Sequence, residues 1–278
     1  MSTRTSAAPT PTAPVRPPFA AILCGVAGTG ADREAVHQAA MLAGRGGTME
    51  IVAVAAQPGA QATSRAALGP GAARKALRRA WDLARDRGVK ARVRCVEGAP
   101  ARARLLDEAV GHDLLVVGAR GLGRAAGILL GSTATMALHR APCPVLIARD
   151  GGADRAFPAC ILLADDGSES ARAAARAAVA VAAATGARLF VAAPTVMTAR
   201  ERHLLDEHLA AAVDAGLPEP VVLDVQGPAP QAIAALARDV DASVIVLGSR
   251  CRRGIRALGS VSERVAHIAP CSVLVCRH

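Results

Sequence analysis

Val116-Val117-Gly118-Ala119-Arg120-Gly121-Leu122-Gly123-Arg124-Ala125-Ala126-Gly127-Ile128-Leu129-Leu130-Gly131-Ser132-Thr133 joins a strand end, a glycine-rich loop and a helix start. The apolar run from Leu114 to Val117 stops at Gly118, and the loop closes on Gly131-Ser132, where a helical pattern begins. Glycines let backbone N–H groups approach an anion, and a helix start adds unpaired donors and the positive end of its dipole. The spacing Gly118-x2-Gly121-x9-Gly131-Ser132 matches neither the phosphate loop that ends in Gly-Lys-Ser/Thr nor the dinucleotide Gly-x-Gly-x2-Gly turn. Spacing alone leaves two readings open: a phosphate cradle, or a connection that binds nothing.

Working outward from this stretch, the chain repeats itself. Leu114-Leu115-Val116-Val117-Gly118 returns as Val244-Ile245-Val246-Leu247-Gly248, and Ala141-Pro142-Cys143-Pro144-Val145-Leu146-Ile147 as Ala269-Pro270-Cys271-Ser272-Val273-Leu274-Val275. Upstream, Ile22-Leu23-Cys24-Gly25-Val26-Ala27-Gly28-Thr29 aligns with Ile161-Leu162-Leu163-Ala164-Asp165-Asp166-Gly167-Ser168, and Val96-Glu97-Gly98-Ala99-Pro100 with Val225-Gln226-Gly227-Pro228-Ala229. Four anchors in one order at near-constant offset make a tandem duplication. Apolar strand runs alternate with helical patterns in each copy, so the fold class is α/β. Two tandem doubly wound, Rossmann-like domains are expected, each a five-stranded parallel sheet with about four helices. The first copy has strands near 20–26, 49–55, 91–96, 113–118 and 144–148, with helices near 31–45, 65–88, 99–111 and 132–140. In the second, strands fall near 160–165, 187–193, 220–225, 243–248 and 271–276, and helices near 169–185, 198–215, 229–239 and 260–268. Asp32 and Ser168 read as helix N-caps and Gly186 as a helix stop. The boundaries are an Ala/Thr/Pro-rich disordered tail over 1–18, a first domain over 19–149, a linker over 150–158 and a second domain over 159–278.

Composition narrows the function classes. Hydrophobic residues make up 52% of the 278, yet there are three Phe, one Trp and no Tyr, so the core is built from Ala, Val, Leu and Ile. No apolar run reaches the ~20 residues of a membrane span, and no secretory leader is evident, so a cytoplasmic protein without membrane contact is expected. Seven cysteines without a Cys-x2-Cys pair indicate neither a zinc site nor a disulfide framework; no metal site is expected. All of the net charge of +10 belongs to the first half, where residues 1–150 hold 20 Lys and Arg against 10 Asp and Glu. Much of it lies between Arg74 and Arg94, a field for anions or a solvated helix face. Without interleaved aromatics, nucleic acid is not the expected partner.

The Val-Asp-Gly-Ser-like end of strand one, the Glu-Gly-x-Pro turn and the glycine loop with its Pro-Cys-Pro-Val strand together resemble the universal stress protein family, in tandem over about residues 19–278. In nucleotide-binding relatives an Asp ending strand one and a backbone position late in strand two hold adenine, and the loop holds ribose and phosphates. The resemblance therefore implies ATP, with Mg2+, as ligand. It puts Gly118, Gly121, Gly131, Ser132 and Thr133 at the phosphates and Val54 at the adenine. Ala27 stands where the Asp is expected, which removes an acceptor for the adenine amino group, a loss on the order of 1–3 kcal/mol. The second copy is the reverse. Asp166 stands at the acidic position and Ala193 on strand two, but Cys251 replaces the second loop glycine and only seven residues separate it from Gly259. Arg250, Arg252, Arg253 and Arg256 make that loop an anion attractor, a solvated basic loop or an interdomain contact. Single-copy relatives dimerise through their last strand. The resemblance thus implies an internal pseudo-dimer along Val145-Leu146-Ile147 and Val273-Leu274-Val275, with Cys143 and Cys271 near its two-fold axis and the clefts facing apart. Two such chains are a candidate homodimer.

No Ser-His-Asp elbow or carboxylate pair stands beside the complete loop. His112 and His139 are its nearest acid/base neighbours, Arg120 and Arg124 are candidate phosphate contacts, and Asp107 and Glu108 read as surface charge. The expectation is a non-enzymatic, ATP-binding regulatory or stress-response protein with ligand in the first copy. A nucleotide-independent scaffold with degenerate sites is the second reading, and an enzyme acting on an adenylated substrate the third.

Overall fold

The computed structural model describes residues 18–44, 47–55, 68–98, 100–119, 130–151, 156–249 and 260–277. The first copy runs β1 (Ala21–Val26), α1 (Ala31–Ala43), β2 (Thr48–Ala55), α2 (Pro70–Asp86), β3 (Ala91–Glu97), α3 (Ala101–Glu108), β4 (Leu114–Gly118), α4 (Ser132–Arg140) and β5 (Val145–Ala148). The second repeats the order as β6 (Cys160–Ala164), α5 (Glu169–Thr185), β7 (Arg188–Pro194), α6 (Ala199–Asp214), β8 (Val221–Val225), α7 (Ala229–Asp239), β9 (Val244–Ser249), α8 (Ser260–Ile268) and β10 (Ser272–Arg277). Each copy is a parallel sheet with four helices, as its alternating pattern predicts.

Local chemistry sets the element ends. Gly186 closes α5 in the left-handed conformation (φ 72°), and Thr198 with Glu201 forms a capping box at the start of α6. Ser168 is the N-cap of α5, but its hydroxyl pairs with Ser170 (2.7 Å) rather than with the helix. Asp32 is not an N-cap: Gly30 holds that position, and Asp32 lies inside the first turn of α1. The aromatic-poor composition shows in the packing. Ala35, Ala39 and Ala43 of α1, and Ala73, Ala76, Ala80 and Ala84 of α2, are buried against one face of the sheet. α1, α2, α5 and α6 cover that face, and α3, α4, α7 and α8 the other.

The two sheets are continuous, in the order β3-β2-β1-β4-β5-β10-β9-β6-β7-β8. Every pairing is parallel except the central one, where β5 runs antiparallel to β10 with Val145 opposite Val275 and Ile147 opposite Val273. Leu146 and Leu274 face each other at the pseudo-two-fold, so each apolar edge covers the other. Because the halves run in opposite senses, the carboxyl ends of their strands open on opposite sides of the molecule. The expected cysteine placement is corrected by the register. Cys143 and Cys271 lie outside the paired residues, each three positions from the central leucine of its strand and so away from the axis. A buried polar network ties the seam: Gln38 on α1 donates to the Arg149 carbonyl (2.9 Å), the Ser272 hydroxyl donates to Gln38 (2.8 Å), and the Arg149 N–H donates to Ser272 (3.0 Å).

Candidate functional site

The first copy builds a pocket where the parallel strands end. Gly25 to Ala27 at the end of β1, Val52 and Val54 on β2, and Gly118 at the end of β4 border it. Gly131, Ser132 and Thr133 close it with the start of α4. This is the crevice in which open α/β sheets take ligands, where the strand order turns back from β1 to β4. Gly131 is the N-cap of α4 and supplies no side-chain acceptor; Pro100 does the same for α3, whose Ala101 and Leu105 also border the pocket. Two helix starts with uncapped donors therefore meet one cavity.

Of the residues read from the sequence, the pocket gathers Ala27, Val54, Gly118, Gly131, Ser132 and Thr133. Gly121 lies outside the described residues, as do Arg120 and Arg124. Gly118 has a packing reason of its own: a Cβ there would lie 2.7 Å from the Ala31 Cβ and 2.9 Å from its carbonyl oxygen. Its counterpart Gly248 is tighter, since a Cβ would meet the Ser170 carbonyl at 2.0 Å. This glycine lets the fourth strand of each copy meet its first helix, whether or not a ligand binds.

Asp32 and Arg102 border the pocket too, and the sequence reading named neither as a site residue. Asp32 is tied into the loop itself. Its carboxylate folds back on the turn after β1, accepting from the N–H groups of Ala27 (3.1 Å) and Thr29 (3.1 Å) and from the Thr29 hydroxyl (3.2 Å). Burial raises its pKa, and these hydrogen bonds pull in the opposite direction. A carboxylate thus stands beside Ala27, but it is committed to shaping the loop.

The second copy is arranged differently. Asp166 is exposed and accepts from the Ser168 N–H (3.1 Å). Its neighbour Asp165, 1% exposed, accepts from the Gly167 N–H (2.9 Å) and shares a 2.7 Å hydrogen bond with Nδ1 of His208 on α6. The first turn of α6 crowds the same loop, because a Cβ on Gly167 would lie 2.2 Å from the Glu201 carbonyl oxygen. Ala193 is buried late in β7. Residues 250–259, with Cys251 and the four arginines, lie outside the described residues.

The remaining candidates lie elsewhere. His112 approaches Glu50 (3.6 Å) and His139 approaches Glu263 of α8 (3.3 Å); neither borders the pocket. Glu108 is not ordinary surface charge, since its largely buried carboxylate receives both Arg94 and Arg104. Arg74, Lys75, Arg78, Arg79 and Arg85 lie on the exposed face of α2, with Arg85 stacked on Trp81 at 4.9 Å. Burial pushes the Cys143 thiol up to about 11 and the Cys271 and Cys276 thiols up to about 12. Among the described residues no helix is long and apolar enough to cross a membrane, and no cluster of three or more His, Cys, Asp or Glu could hold a metal ion.

A universal stress protein from Thermus aquaticus is 45% identical over 56 residues, 19% of this chain; the match spans 40% of that relative's length. The crystal structure of a universal stress protein from Archaeoglobus fulgidus superposes with a TM-score of 0.76 at 21% identity, covering 92% of this chain and 97% of that one. A functionally unknown protein from Pseudomonas aeruginosa gives 0.69 at 21% identity, covering 93% and 92%. At such identity the two structures speak to the fold alone. The family model described as the universal stress protein family matches twice, over residues 18–149 and 160–277. With both halves matched and the α/β architecture in place, the chain belongs to the universal stress protein family as a tandem of two of its domains.

Proposed function

We propose that the first domain binds an adenine nucleotide, ATP with Mg2+, and that its occupancy regulates the protein's contacts in a cytoplasmic, non-catalytic, stress-related role. One observation carries the reading: the uncapped start of α4, with Gly131, Ser132 and Thr133, borders the same pocket as Ala27 and Val54 at the ends of β1 and β2. Backbone donors suited to phosphate and apolar strand ends suited to a purine ring share one crevice. Among the described residues the only carboxylate bordering this pocket, Asp32, is engaged by its own loop, so Mg2+ would enter with the nucleotide's phosphates. The second domain is not proposed as an equivalent site, because Asp166 faces solvent and α6 crowds its loop.

The test is calorimetry of the full chain with Mg-ATP, beside Gly131→Asp, whose carboxylate would sit among the phosphate donors. Saturable binding that the variant abolishes supports the reading; equal affinity in the variant overturns it. A nucleotide-independent scaffold is the second reading, favoured by Ala27 offering adenine no side-chain acceptor. Absence of ATP binding by the wild type would select it.

A further inference from the structure

We infer that Arg102 is the side-chain anchor for the ligand's phosphate groups, so that the first domain selects phosphorylated adenine ligands over the bare nucleoside. The inference deepens the nucleotide reading and rests on it. Arg102 occupies the first turn of α3 and borders the pocket alongside Ser132 and Thr133. α3 and α4 pack side by side, so Arg102 borders the crevice together with two helix starts that lack side-chain caps.

The surrounding charges mark Arg102 out. Arg94 is neutralised by Glu50 and Glu108, and Arg104 by Glu108. Among the described residues Arg102 has no acidic partner. Its Nε, like that of Arg104, is buried without a hydrogen-bond acceptor, so what sets Arg102 apart is the missing carboxylate and its place on the pocket wall. A buried donor left unmet is a cost that an incoming acceptor relieves. Asp32, the one carboxylate on the pocket wall among the described residues, is turned to the N–H groups of Ala27 and Thr29. A planar guanidinium offers parallel N–H donors that fit two phosphate oxygens at once, and the helix starts add backbone donors to the same anion. A nucleoside lacks that anion and gains nothing from Arg102. The corresponding turn of α7 carries Pro230 and Gln231, neither of them charged, so the device belongs to the first domain.

The experiment is calorimetry of the full chain with ATP and with adenosine, Mg2+ present throughout, for wild type, Arg102→Ala, Arg102→Gln and Arg102→Lys. The expected result is a loss of roughly ten-fold or more in ATP affinity for the Ala and Gln variants, with adenosine affinity changed less than about two-fold. Lys should recover part of the loss, since it restores the charge without the fork. The Gln variant keeps the side-chain bulk and guards against a packing defect in the Ala variant. ATP affinity unchanged in both, or ATP and adenosine weakened equally, overturns the assignment of Arg102 while leaving the nucleotide site intact. A wild-type chain that binds neither ligand overturns the site itself, and Arg102 with it.

Discussion

Arg149 and Arg277 are counterparts across the pseudo-two-fold, and each reaches the end of the other domain's last helix. Arg149, just beyond β5, donates to the Ala266 carbonyl on α8. Arg277, at the end of β10, donates to the carbonyls of Ala137 (3.2 Å) and Leu138 on α4. Cations suit the negative end of a helix, so the exchange joins the domains with two reciprocal caps. The two differ in setting, because Arg149 is 8% exposed and burial lowers its pKa to about 10. Arg277→Met should therefore cost about 1–2 kcal/mol, and Arg149→Met less, because burial already penalises its charge. Urea unfolding of both variants checks the order, and a larger loss at Arg149 would contradict it.

Asp32 supplies a pH prediction with a definite sign. Its folded pKa is raised above the reference of 3.8, so the native state holds that proton more tightly than the unfolded chain does. Ionisation therefore removes stability as pH rises from 3.8 through the folded value. Asp32→Asn cannot titrate. The stability difference between wild type and variant should move in favour of the variant across that window. Paired denaturation curves from pH 3 to 7 measure it, and a drift in favour of the wild type would show that the hydrogen bonds from Ala27 and Thr29 outweigh burial.

The two fourth-strand glycines should tolerate a methyl group unequally. Gly248→Ala drives a Cβ to 2.0 Å from the Ser170 carbonyl, whereas Gly118→Ala meets Ala31 at 2.7 Å. Overpacking typically costs about 1–3 kcal/mol, so Gly248→Ala should fall at or beyond the top of that range and Gly118→Ala below it. Thermal melts of the two variants compare them directly.

Residues 1–150 produced alone should not stay monomeric. β5 would lose its partner β10, leaving the buried residues Val145, Leu146 and Ile147 on an open edge. Light scattering after size exclusion should find dimers or aggregates, and a stable, soluble monomer would contradict the covering role of β10.

What was legible in the chain was local. The alanine periodicity bounded by Ser168 and Gly186 predicts a helix over 169–185, and α5 spans Glu169–Thr185. The meeting of β5 with β10 was implied by the resemblance, while its antiparallel register came only with the structure. Contacts between distant segments were not legible. Asp32 looks like an N-cap until Gly30 is seen in that position, and nothing near Asp165 announces His208, 43 residues on. One signal was available: strand alternation continues the face of Ile161 and Leu163 to Asp165, which leaves Asp166 on the other side. The adenine and phosphate positions were named from a resemblance. The structure gathers six of those residues around one pocket, and Gly118 shows that a motif glycine can be demanded by packing alone.

Joining the halves across β5 and β10 has a hereditary consequence. In a symmetric dimer every substitution is written twice, and a residue at the interface must suit its own image. Here each change is written once. Gln38 can meet Ser272 at the seam while the matching positions in the repeat hold Ala177 and Pro144. One half can likewise keep Ala27 while the other keeps Asp166. Covalent linkage holds the halves together at any dilution, and so frees each of them to diverge.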